Sequence, residues 1–101
     1  MVKESEKKEI NLIYDTRLAH YFEVSEKAFK IAEKSIMKGR EEDAKEILKM
    51  AKCYLEDARH FEKEKNKVNA FAAINYAHGW LDAGARLGIF DVKDDKLFTV
   101  K

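Results

Sequence analysis

At 101 residues the chain has room for one modest core and not for two. Hydrophobic residues make up 46% and charged residues 39%, which excludes a disordered tail, and the formal net charge of +1 gives no long-range pull toward phosphate backbones or anionic lipid. Neither nucleic acid nor membrane is therefore an expected partner, and a single cysteine, Cys53, leaves no internal disulfide to form.

The N-terminal run MVKESEKKEI is charged from its third residue and lacks the apolar centre of a secretory leader. No apolar run approaches the ~18 residues of a membrane span. The expectation is a cytoplasmic protein. From about residue 5 to 38, Tyr14, Leu18, Tyr21, Ser25, Ala28, Ala32 and Ile36 recur at steps of three and four, with Phe22 and Phe29 on the shoulder. This is the inward face of a long amphipathic helix, and Gly39 stands where a left-handed cap would end it.

Glu41, Glu42 and Asp43 then place negative charge at the start of a second helix, over about 41–65. Its inward positions are Ala44, Ile47, Leu48, Ala51, Leu55, Ala58 and Phe61. It ends among Lys63, Lys65 and Lys67 around Asn66, a residue type that tolerates the left-handed conformation. The third helix, about 68–87, stops at Gly88. Both connections are short, so the neighbours are antiparallel hairpins. The segment 89–101 loses the helical period, and its Leu97, Phe98 and Val100 either lie back over the bundle or fray. The reading is all-α: a single-domain, up-and-down antiparallel three-helix bundle with a short extended C-terminal tail.

The third helix, VNAFAAINYAHGWLDAGARLGIF with its continuation, carries an apolar arc of about 200° at roughly 100° per residue. A helix in such a bundle needs a stripe only somewhat over 100° wide. The surplus needs a cover, either the tail through Leu97 and Phe98 or another molecule. Tyr76, Trp80, Ala83, Leu87 and Phe90 mark the flank expected to serve as an interaction surface, aromatic side chains being common anchors. A plain core role for Trp80 is the competing reading.

The remaining arc holds Asn75, His78, Asp82 and Arg86, spaced three, four and four apart. Asp82 stands one turn from both His78 and Arg86. A histidine oriented by a carboxylate beside an arginine suits anion binding or proton transfer. Equally, this is the solvated side of a mostly buried helix, and no nucleophile stands alongside, so no catalytic residue is assigned. Cys53, Glu56, Asp57 and His60 share one side of the second helix, but that side faces outward with no shell to fix ligands, and no metal or other cofactor is expected. His20 and His60 project outward at similar height, with His78 roughly 15 Å further along by helix rise. Gly79 and Gly84 are expected to let helices approach closely, at a propensity cost near 1 kcal/mol each.

The blocks YLEDARHF at Tyr54 to Phe61 and VNAFAAINYAHGWLDAGARLGIF at Val68 to Phe90 resemble the archaeal family called domain of unknown function 357. That resemblance implies an archaeal cytoplasmic protein and a three-helix up-and-down bundle with a left-handed twist, the mirror of the spectrin-type connection. It implies no activity. The same stretch is similar to helical HEPN domains, whose nuclease signature is an Arg followed four to six residues later by a His. Arg17, Arg40, Arg59 and Arg86 all lack that histidine. The expected function is a non-enzymatic interaction or homo-oligomerising module, with a homodimer or an unknown protein as partner. The alternative is a small-molecule, nucleotide or anion-binding protein using Asn75, His78, Asp82 and Arg86.

Overall fold

The computed structural model describes residues 4–98, with side chains from residue 15 onward, and holds three helices: α1 (Glu4–Glu33), α2 (Glu41–Lys63) and α3 (Lys67–Arg86). Pairs across the seams give their directions. Tyr54 stacks on Tyr76 and Ile47 packs at Gly84, so α2 and α3 run antiparallel. Asp15 meets Lys67, Ser25 meets His78 and Ile36 bridges Phe90, so α1 and α3 run parallel. The order is up-down-up, with α2 and α3 forming the tighter pair.

α2 and α3 come close because their buried stripes are mostly alanine. Ala28, Ala32, Ala44, Ala51, Ala58, Ala70 and Ala77 are all fully enclosed, and small contact residues bring helix axes toward the short end of the usual range of about 8–10 Å. Phe22, Ile74, Leu81 and Phe90 supply the bulk. Two buried clusters result. Leu18, Phe22, Ala58, Ala70, Ala73 and Ile74 fill the end near the α2–α3 turn. Ala28, Ala32, Ala44, Ile47, Ala51 and Leu81 fill the other end, with Ile89, Phe90 and Phe98 of the tail. Arg59 lies over the Phe22 ring, 3.9 Å from its centroid, and pairs with Glu26 and Glu62, which ties α2 to α1.

The inward face of α1 is the expected one at Leu18, Ser25, Ala28 and Ala32, and it departs at Tyr21, whose place is taken by Phe22 from the shoulder. Phe22 is buried and Tyr21 is 39% exposed, edge-on to Phe71 at its rim. The side chain of Tyr14 lies outside those described. The expected helix to residue 38 is also corrected: α1 ends at Glu33, and Ile36 is exposed outside it. The cause is a competing partner for the backbone. Met37 N–H donates to the Ile89 carbonyl at 2.9 Å and Asp91 N–H to the Ser35 carbonyl at 2.7 Å, so 35–37 pair with the tail instead of continuing the helix.

The α3 terminus is a Schellman cap. Ile89 N–H donates to the Gly84 carbonyl, Gly88 N–H donates to that of Ala85, and Gly88 holds φ +73°. The same bonds close α2, from Asn66 to Phe61 and Lys65 to Glu62. There the left-handed residue is Lys65, φ +60°, and not the expected Asn66, which instead caps α3 by accepting from Asn69 N–H at 3.2 Å. Gly39 is left-handed as well, but in the turn before α2. Glu41 accepts from Gly39 N–H, and this bond together with its own backbone N–H holds its carboxyl below the ordinary value.

The tail docks. Phe98 is buried and Leu97 partly so, while Asp94 caps their turn through its carboxylate; Val100 lies outside the described residues. Phe90, expected on the interaction flank, is instead core, at 1% exposure. Its ring occupies the space where Gly84 has no side chain: a Cβ there would come within 2.7 Å of Phe90 Cδ2 and closer to Cε2. Gly84 therefore makes room chiefly for a ring of the tail, with Ile47 of α2 next at 3.3 Å, where the expectation was an approach of helices; a Cβ on Gly79 would meet nothing within 4 Å.

Two stability measurements follow from these positions. Gly84→Ala is expected to cost about 1–3 kcal/mol in chemical denaturation, through overpacking against Phe90. Adding Phe90→Leu should cost less than the two changes summed, since the clash would be shared. Simple additivity would mean that the ring does not sit on Gly84. Lys65→Gly is expected to add roughly 0.5–1 kcal/mol by relieving a left-handed side chain, and a loss of stability would contradict the φ assigned to it.

Candidate functional site

Two adjoining surfaces on α3 collect the residues singled out above. The first is a recess of about 430 Å³ between α1, α3 and the tail, lined by polar groups from all three. Ser25 is buried, and its Oγ lies 3.1 Å from His78 Nδ1. On the other side of the ring, His78 Nε2 is 3.5 Å from Asp82 Oδ1. An imidazole protonated on Nε2 satisfies both contacts, facing the carboxylate and accepting the Ser25 hydroxyl on Nδ1. Asn75, His20 and Lys96 complete the rim.

The line of Asn75, His78, Asp82 and Arg86 is thus only partly assembled. Asn75, His78 and Asp82 share the recess, whereas Arg86 is exposed and does not line it. His20 joins His78 there, contrary to the expected separation, because the parallel α1 sets residue 25 level with 78 and so residue 20 about a turn and a half below. His60 is on α2, paired with Glu64. Sequence periodicity places Ser25 only in the core; its hydroxyl becomes informative once α3 is laid beside it. Lys96 could not be placed without the path of the tail.

Serine, histidine and aspartate in contact suggest nucleophilic catalysis, but the geometry suits a structural pin better. Ser25 Oγ is enclosed, at 3% exposure for the residue, and lies mid-helix, where backbone N–H groups are bonded within the helix and none is free to hold an oxyanion. The contacts instead join α1 to α3 between the two apolar clusters, where an unpaired buried hydroxyl would be costly. Among the described residues no group of three or more His, Cys, Asp or Glu side chains is arranged to hold a metal ion.

The second surface is the outward face of α3. Ala72, Asn75, Tyr76, Gly79, Trp80 and Ala83 line an open groove of about 530 Å³ that shares Asn75 and Gly79 with the recess. Tyr76 is 62% exposed and Leu87, just beyond, 65%; Ala83 is exposed and Trp80 half-buried, packed against the core at its inner edge. The described tail residues do not cover this face. Of the flank expected from sequence, Tyr76, Trp80, Ala83 and Leu87 lie together here, and Phe90 does not.

Among the described residues no helix is long and apolar enough to cross a membrane. A family model described as "Protein of unknown function (DUF357)" matches residues 20–90, a span that contains α2, α3, α1 from His20 onward and the Phe90 bridge, and the chain belongs to that family. No curated protein and no solved structure gives a significant match.

If the Ser25–His78 contact pins α1 to α3, a double-mutant cycle of Ser25→Ala and His78→Ala should give a coupling of about 1 kcal/mol in unfolding free energy. Coupling near zero would leave the two side chains as mere neighbours.

Proposed function

We propose that the chain is a non-enzymatic interaction module that docks another polypeptide helix on the outward face of α3. One observation carries the reading. Tyr76 and Leu87 stay mostly exposed beside Ala72, Gly79 and Ala83, so the apolar surplus of α3 remains uncovered after the tail has folded back. Contiguous apolar surface of this kind on a soluble domain marks an interaction site, and a row of small residues flanked by bulky ones accepts the ridge of a second helix.

Gly79→Arg tests it with little risk to the fold, because space around Gly79 is open and arginine is the better helix former. In an extract of its source cell the native chain should elute well above 11.8 kDa, and the Gly79→Arg chain at its own mass. Elution of the native chain as a monomer in extract, together with a purified chain that stays monomeric up to about 1 mM, would contradict the reading.

A second reading, an anion site in the recess, draws on His20, His78 and Lys96 gathered at one rim. Asp82 opposes it by placing a carboxylate among them. With millimolar inorganic phosphate or nucleotide, the docking reading expects no rise in melting temperature. A rise that Lys96→Ala and His78→Ala both abolish would favour the anion site.

A further inference from the structure

Building on the reading of α3 as a docking face, we infer that its occupant is a second copy of this chain, packed antiparallel about a two-fold axis that passes between Gly79 and Trp80. The pattern of side-chain size on the face supports this. In an antiparallel pair centred there, Tyr76 falls opposite Ala83 of the second copy, and Leu87 falls opposite Ala72. Symmetry repeats both pairings, so Tyr76 and Leu87 each meet a small residue. A parallel pair in register would instead set Tyr76 against Tyr76 and Leu87 against Leu87, with Ala72 and Ala83 facing their counterparts across gaps. Close packing disfavours such voids. Gly79, at the centre with open space around its Cα, lets the two backbones draw together.

The polar edge agrees with the same register. Between Val68 and Arg86 the only charged residues of α3 are Asp82 and Arg86, and they share an edge with Asn75. A two-fold axis across the face brings that edge against its own copy, with Asn75 level with the gap between Asp82 and Arg86 of the second molecule. There its amide can donate to the carboxylate and accept from the guanidinium, and no like charges are opposed. One helix face per copy is smaller than the ~1,600 Å² of a standard interface, so the expected dissociation constant is on the order of micromolar or weaker.

The test uses the purified full chain. Sedimentation equilibrium from low micromolar to about 1 mM should show the mass rising from 11.8 kDa toward twice that, and Gly79→Arg should abolish the rise. The register is read by oxidative cross-linking in a Cys53→Ser background, Cys53 being exposed. A mixture of Tyr76→Cys and Ala83→Cys chains should link to each other. Tyr76→Cys alone should not, since its two copies would stand about 10 Å apart along the axis, beyond the ~7 Å a disulfide spans. Self-linking of Tyr76→Cys, or a dimer that links neither way, would overturn the antiparallel register. A purified chain monomeric at every concentration would overturn the second copy itself. If the native chain still elutes above 11.8 kDa in extract, a different helix occupies the face; if it does not, the docking reading falls with the dimer.

Discussion

The seating of the Phe90 ring on Gly84 is the contact on which the rest of the structure depends. It turns the chain back immediately after α3, and Met37 and Asp91 then donate across the gap to Ile89 and Ser35. Three consequences follow from that one contact. The end of α1 is taken out of its helix, the second buried cluster gains Ile89, Phe90 and Phe98, and the tail is carried along the α1–α3 side, where Lys96 reaches the recess. The outward face of α3 is what the tail leaves behind.

The division of α3 into three faces follows from this routing. Ala70, Ala73, Ile74, Ala77 and Leu81 face the core, His78 and Asp82 face α1, and Ala72, Tyr76, Gly79, Ala83 and Leu87 face out. Only the middle face is polar, and its central group is enclosed between Ser25 and Asp82. Arg86, at the C-terminal end of α3, is exposed outside the recess. The alanine seam of the core and the alanine–glycine row outside also make the two sides of α3 alike, so the same geometry that packs α3 on α2 is available to pack it on another helix.

Much of this was legible from spacing. The steps of three and four along Ala44, Ile47, Ala51 and Ala58 mark the buried stripe of α2, and Gly88 marks the end of α3. The excess apolar girth of α3 also shows in the sequence, and the exposed Tyr76 and Leu87 are its counterpart. The misses share one cause, that periodicity describes a helix and not what competes with it. Ile36 fits the period of α1, yet its neighbours' backbone groups are taken by 89–91; Phe90 reads as an anchor for a partner because nothing local reveals that Gly84 makes room for its ring. Ser25 and His20 needed the register of α1 on α3, which no single helix contains.

The sole tryptophan, Trp80, lies half-buried on the rim of the face in question and reports its cover directly. Acrylamide quenching of its fluorescence, followed across protein concentration, is the most direct measurement. If copies meet on α3, quenching falls and the emission moves to shorter wavelength as concentration rises, and Gly79→Arg holds both constant. Quenching that stays the same from dilute to concentrated solution would mean that no second molecule shields the helix.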